Sequence, residues 1–304
     1  IGRCMKKVLI SGGSGLIGRH LTDILLQNGY AVAWLSRSVK PHKDVNMYKW
    51  DVDAGYIDPE AILWADVLVH LAGESIAGKR WTAKRKQAII ESRTKSTELL
   101  IAAMQQHNHH IEQVVAASAI GFYGETGEMP VDETNASGNG FLSESVRQWE
   151  DATSKFSAVG VNLVTLRIGI VLAENGGALK EIVQTKSLRV LPVMGSGKQI
   201  YAWIHIQDVG QIILYCLQQK LSGIYNAVAP NPVSLKSIIQ HYQQVSGKWY
   251  VQMPVPAFTL KLVLGELSAV VLTGQNVSSA KIQSAGYQFS FPDITSALTQ
   301  IIKA

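Results

Sequence analysis

Short runs of β-branched and other apolar residues alternate, through the first half of the chain, with longer segments whose apolar side chains recur at i, i+3 and i+4. The runs fall at residues 7–11, 31–36, 47–50, 66–71, 114–118 and 162–168, and the helical patterns at 16–28, 82–106 and 140–158. A strand alternates with period 2 and a helix with period 3.6, so this order reads β-α-β. Val67-Leu68-Val69 and Val114-Val115-Ala116 are apolar on both faces. Strands of that kind belong in a parallel sheet covered by helices on both sides and joined by right-handed crossovers. The expected fold class is α/β, a doubly wound parallel sheet. Past about residue 170 the rhythm loosens as Gly176, Gly177, Pro192, Gly195, Gly197, Pro230, Pro232, Pro254 and Pro256 accumulate. Helical patterns at 235–245, 257–267 and 293–302 are expected to build a smaller α/β lobe there. The expected division is 1–172, with return segments near 202–232, for the sheet domain, and 173–201 with 233–304 for the smaller substrate-side lobe.

Composition sets the class without changing that picture. The chain has 304 residues, 47% apolar and 17% charged, enough for a large core and, at ~150 residues per domain, about two domains. Apolar stretches at 62–73 and 260–274 are interrupted by Asp66, Lys261 and Glu266 and fall short of the roughly 20 residues of a membrane span. Met5-Lys6-Lys7 runs straight into a strand with no cleavable leader pattern, so Met5 is read as a native start and a cytoplasmic location is expected. The net charge of +5 is spread evenly, which speaks for ordinary solvated charge and against a nucleic-acid surface. Cys4 and Cys216 cannot build a disulfide framework or a four-cysteine zinc site, and His107, His109 and His110 lack carboxylate or thiolate partners, so no metal is expected.

The chemistry begins at Ser11-Gly12-Gly13-Ser14-Gly15-Leu16-Ile17-Gly18-Arg19, a GxxGxxG loop set between the first strand and the first helix. Glycines there permit a tight turn, let backbone N–H groups approach a pyrophosphate and let helix pack on strand, so residues 12–19 are expected to hold a dinucleotide in a Rossmann domain. An NAD site places a carboxylate ~20 residues past such a loop, at the end of the second strand. Here no acidic residue lies between Asp23 and Asp44, and that strand ends on Ser36 and Arg37 with Lys40 and Lys43 beyond. A cation there suits a 2′-phosphate, so NADP (NADPH) is the expected cofactor, against the plainer reading of Arg37 as a solvated charge. Asp51 is placed either to meet an adenine edge or to cap its loop. Gly195-Ser196-Gly197-Lys198 ends like a phosphate loop, but Pro192 and Gln199 occupy positions that an ATP site reserves for Gly and Ser/Thr.

The glycine loop, His70-Leu71-Ala72-Gly73 and Ser118 together resemble the extended short-chain dehydrogenase/reductase superfamily. The whole chain is similar to the epimerase-like YfcH group, an atypical branch of it. That resemblance rests on 71–76 (Leu-Ala-Gly-Glu-Ser-Ile), Lys79-Arg80-Trp81, Ser92-Arg93, Trp149-Glu150, 166–172, Trp203-Ile204-His205-Ile206 before Asp208, Tyr225-Asn226, Pro230-Asn231-Pro232, and the tail from Pro254 through Gly286-Tyr287. It implies cofactor contacts at Leu71, Ala72, Gly73, Ser118, Arg167 and Gly169 besides the loop.

The superfamily's chemistry uses a tyrosine to move a proton and a lysine four residues on to lower its pKa. Counted back from Trp149-Glu150, those positions are Leu142 and Val146, and none of the ten tyrosines has a lysine four residues later. Ser118 remains to hold a substrate oxygen, with Tyr123, after Gly121-Phe122, as a replacement acid or a packing residue. Glu74, Arg80 and Arg93 are candidate substrate contacts. Aligned on Ile204-His205, Tyr201 falls where extended reductases clamp a nucleotide-sugar diphosphate with arginine, and His205 reads as a structural histidine or an acid-base group. The expected function is an NADP(H)-binding oxidoreductase or epimerase acting on a small, unidentified substrate, a carbohydrate-like molecule being one reading. The alternative is a non-catalytic NADP(H)-responsive binding or regulatory protein.

Overall fold

The computed structural model describes residues 5–303; residues 1–4, Cys4 among them, lie outside the described residues. Eight strands form one sheet in the spatial order Gly223–Ala227, Asn162–Ile168, Gln113–Ala119, Val67–His70, Lys7–Ser11, Ala31–Ser36, Asn46–Asp51, Tyr56–Ile57. Every neighbouring pair is parallel except the last, where Tyr56–Ile57 turns back antiparallel on Asn46–Asp51. The doubly wound sheet expected from the apolar runs is present. The register aligns Ser11 with Leu35 on one side and with His70 on the other, and Ser118 with Arg167, so the carboxyl ends of these strands form a single edge.

Alternation along each strand divides the core. Val8 and Ile10 face one side, where they pack with Leu21 and Leu25 of the helix Leu16–Gln27 and Ile212 and Ile213 of the helix Ile206–Gln219. Leu9 faces the other, with Ile62 of Pro59–Trp64 and Leu100 and Met104 of Ala83–Gln106. The sequence reading had no helix at 59–64 or 206–219. Asp58-Pro59 supplied an N-cap and a proline in the first turn, and the Asp58 carboxylate does accept from the Glu60 N–H at 3.0 Å. The short helices Gly177–Ile182, Ala269–Leu272 and Ala280–Ser284 were likewise unexpected, and among the expected helices the differences are at ends. The 140–158 helix closes at Ser154 and tightens into a 3-10 turn, Lys155–Val159, that stops at Gly160, and the 257–267 helix ends at Leu264.

A further core gathers Leu179, Leu191, Trp203, Leu235, Ile238, Tyr242 and Leu298 between the helices Leu235–Ser246 and Ile294–Lys303 and short strand pairs, among them Val190–Met194 beside Val251–Val255. One carboxylate fastens the chain's tail to the helix Ile206–Gln219. Asp208, fully buried in the first turn of the Ile206–Gln219 helix, accepts from the Tyr287 hydroxyl at 2.8 Å, the Ser290 N–H at 2.8 Å and the Phe291 N–H at 3.0 Å. Burial first, and the Asp208 charge second, push the Tyr287 phenol well above its ordinary pKa, so it stays a donor. His205 caps the same helix, with Nδ1 accepting from the Gln207 N–H at 3.2 Å and Nε2 meeting Gln300 at 2.9 Å, which gives it the structural role. Among the described residues no helix is long and apolar enough to cross a membrane.

Removing the Asp208 carboxylate leaves buried donors without an acceptor. Asp208→Ala is expected to lower unfolding free energy by about 2–3 kcal/mol, read as a shift in the urea midpoint, whereas Asp53→Ala on an exposed turn should shift it little.

Candidate functional site

The glycine loop takes the conformation its composition requires. Gly12 has φ 77°, and a Cβ there would stand 2.9 Å from the Leu71 carbonyl carbon; one on Gly18 would lie 2.4 Å from the Gly12 carbonyl oxygen. Gly13 lies directly on the Trp34 ring, whose Nε1–H donates to Thr22 Oγ1 at 2.9 Å. Ser14 and Gly15 are exposed, Leu16 and Ile17 half-buried, and Arg19 exposed; the first turn of the helix carries no carboxylate to compete with an anion at its positive end. Leu16 also reaches across to Gly176, linking the loop to the strand-to-helix turn beyond Ala173.

Beneath the loop lies a buried relay whose hydrogens can be assigned from its partners. Thr97 donates to the Arg93 carbonyl at 2.7 Å, so its oxygen accepts from His70 Nε2–H at 3.0 Å. His70 Nδ1 therefore accepts from the Ser11 hydroxyl at 2.6 Å, and the Ser11 oxygen faces the Ala72 N–H at 3.4 Å. Burial, and then the Arg93 charge, hold the His70 pKa down to about 4, so this ring is a neutral spacer that fixes Leu71, Ala72 and Gly73 against the loop.

At the second strand's end, Arg37, Lys40 and Lys43 are exposed and enter none of the ion pairs among the described residues. The Ser36 hydroxyl donates to the Ser38 carbonyl at 2.8 Å. Asp51 accepts from the Asp53 and Ala54 N–H groups, each at 3.1 Å, the loop-capping alternative.

The polar residues at the far end of the sheet are gathered into a closed network. Arg167 and Glu150 pair side-on at 2.8 Å and 2.8 Å, and the Ser118 hydroxyl donates to the same carboxylate at 2.5 Å. Tyr123 accepts from Arg167 at 2.9 Å and donates to the Asn226 side-chain oxygen at 2.8 Å. The Arg167 guanidinium also lies 3.5 Å from the centroid of Phe122. Burial raises the Tyr123 pKa against the pull of Arg167; burial opposes the Arg167 charge, yet Glu150 outweighs it and lifts that pKa. Ser118 and Tyr123, chosen from sequence as catalytic, are thus buried with both hydroxyls engaged. The residue that the strand's alternation turns toward the cleft beside them is Ala119.

That cleft has two adjoining parts. An inner cavity of about 280 Å³ is lined by Ala119, Gly169, the Tyr-position Leu142, the Lys-position Val146, Trp149 and Arg93, among others. An outer one of about 840 Å³ opens between the helix Phe141–Ser154 and the tail, with Glu125, Lys261 and Gln275 in its walls. Leu142 and Val146, to which the resemblance assigns the tyrosine and lysine positions, lie one helical turn apart on that helix, and neither side chain can move a proton. Sequence reasoning missed Ser145, Thr273 and Gln275 on the inner wall. Strand parity was the signal available for Ala119; the tail residues carried none. Of the other candidates, Glu74 pairs with Arg85, and Arg80, exposed, donates to the Leu262 carbonyl at 3.0 Å. Tyr201 is buried, with its hydroxyl on the Val271 carbonyl at 2.8 Å and its pKa pushed by burial up to about 12.

The description "NAD dependent epimerase/dehydratase family" matches residues 8–227, and "Domain of unknown function (DUF1731)" matches residues 255–301. The epimerase family protein YfhF of Bacillus subtilis (strain 168) is 34% identical over 300 residues, 97% of each chain. The crystal structure of human epimerase family protein SDR39U1 (isoform 2) with NADPH superposes with a TM-score of 0.84 at 29% identity, over 98% of this chain and 99% of that one. The nucleoside-diphosphate sugar epimerase from Corynebacterium glutamicum gives a TM-score of 0.78 at 30% identity, over 98% of this chain and 58% of that one. The expected resemblance to epimerase-family proteins is borne out along the chain: it belongs to the NAD dependent epimerase/dehydratase family.

Proposed function

We propose that the protein binds NADPH along the carboxyl edge of its sheet and acts as an atypical reductase or epimerase on a small substrate in the adjoining cleft. The observation that supports this most is the glycine loop at the end of the first strand, with Arg37, exposed and unpaired among the described residues, at the end of the second and a cavity at the far strand ends. The residues fit the dinucleotide: Gly12, Gly13, Ser14, Gly15 and Gly18 would face the pyrophosphate, Arg37 the 2′-phosphate, and Gly169 with Ala119 the nicotinamide end. A nicotinamide bound there supplies or accepts hydride. The chain's own contribution is to exclude water with Leu142, Val146 and Trp149 and to orient the substrate, because the inner wall holds no carboxylate, histidine, lysine or tyrosine. Any proton then travels by a route other than the Tyr-Lys relay. The same absence favours the second reading, an NADP(H)-responsive binding protein without turnover.

NADPH is expected to bind more tightly than NADH, and Arg37→Ala to remove about 1.5–3 kcal/mol of that preference, about one to two orders of magnitude in Kd by titration calorimetry. Equal affinities in the unmodified protein would defeat the cofactor assignment. Ser118→Ala and Tyr123→Phe break the Arg167 network and not the cleft, so each should cost about 1–2 kcal/mol of stability in thermal melts while NADPH affinity stays within error. UDP-glucose and UDP-galactose should show no micromolar binding by calorimetry, since Tyr201 is neutral and its hydroxyl is already held.

A further inference from the structure

The cation of the inner cavity has no anion among the described residues. Arg93 lines the inner cavity, half-buried, and makes none of the ion pairs among the described residues. Its guanidinium is nonetheless held firmly. Nη1–H donates to the Ile89 carbonyl at 2.9 Å and Nη2–H to the Glu74 carbonyl at 2.9 Å, while the Trp149 ring lies under it with its centroid 4.9 Å away. On the other side Gly73 makes room, since a Cβ there would be 3.1 Å from the guanidinium carbon. The carboxylate of Glu74 is taken by Arg85, and burial first, with the Arg85 charge second, holds the Arg93 pKa down to about 10.

A guanidinium has five N–H donors. Two are engaged by carbonyls at 2.9 Å and Nη1 also stands 3.5 Å from the Ser92 hydroxyl, while Nε–H meets no acceptor among the described residues. Burying a cation without a counter-ion costs free energy that a ligand anion would recover. Most of the remaining wall is apolar, Ile76, Leu142, Val146, Trp149 and Val270 among it, with Ser145, Thr273 and Gln275 as its uncharged polar members.

We propose that Arg93 receives the carboxylate of the substrate, and that the substrate is therefore a small organic acid with an apolar body seated against Leu142, Val146 and Trp149. This rests on the cleft being the substrate site, as argued above, and it sets the ligand class apart from the neutral sugar moiety of a nucleotide sugar. A carboxylate suits the site better than a phosphate, because a single planar fork beside apolar walls offers a monoanion matching donors and gives a dianion too few.

The test uses benzoate and benzamide, which share a ring and differ in charge, titrated by ligand-observed NMR into the protein with and without NADPH. Benzoate is expected to bind about tenfold more tightly than benzamide, to be displaced by chloride, and to lose that advantage in Arg93→Gln. NADPH affinity of Arg93→Gln should match the parent. Arg93→Lys, which keeps the charge and loses the fork, should fall between, and it serves if the glutamine variant does not fold. Equal binding of the two probes by the parent overturns the proposal, as does benzoate binding unchanged in a folded Arg93→Gln. A large loss of NADPH affinity in that variant also overturns it, by giving the guanidinium to the cofactor. If the parent binds no NADPH, the cofactor reading falls separately, and the comparison of probes on the free protein still decides the role of Arg93.

Discussion

The buried pair between Arg167 and Glu150 is the contact on which the far half of the site depends. Two charges leave water there, and an interior ion pair is tolerable only when its remaining donors and acceptors find partners. Ser118, Tyr123 and the ring of Phe122 provide them, and Asn226 completes the circle from the neighbouring strand. The pair thus joins the strands Gln113–Ala119, Asn162–Ile168 and Gly223–Ala227 to the helix Phe141–Ser154. It also draws the Ser118 and Tyr123 hydroxyls into the scaffold, and the cleft beside them is lined by Ala119, Leu142 and Val146.

What the sequence made legible were features with one physical solution. GxxGxxG after an apolar strand needs a turn at Gly12 and a helix packed on Gly18, and those are found. Apolar runs on both strand faces required two helical layers, and Val8 and Leu9 do enter different cores. Leu142 and Val146 could be located because helical spacing is rigid. Directions were harder. Ser118 and Ala119 differ by one residue and face opposite ways, so choosing between them needed the register of a strand whose two faces are both buried. Asp51 was balanced between ligand and turn because a carboxylate satisfies either, and only the Asp53 and Ala54 N–H groups settle its present partners. Arg93 was a candidate substrate contact through the family resemblance, and as a residue of a polar helix it could equally have served structure. Its sandwich between Gly73 and Trp149 is a contact across 20 and 56 positions that no local pattern announces.

The relay from Ser11 through His70 and Thr97 adds a link between the two ends of the site. Thr97 closes on the backbone carbonyl of Arg93, so the chain of hydrogen bonds that starts at the glycine loop ends on the residue whose side chain lines the cleft. A neutral histidine in its middle keeps that chain free of net charge beside a guanidinium, which a protonated ring would repel.

The fastening of the tail also bears on the order in which the molecule is made. Asp208 and His205 sit two-thirds of the way along the chain, yet their partners are Tyr287, Ser290, Phe291 and Gln300. A chain growing from its amino end makes the glycine loop and most of the sheet before residues 287–300, so the carboxylate at the start of the Ile206–Gln219 helix is made ahead of its partners and the latch is the later contact to close.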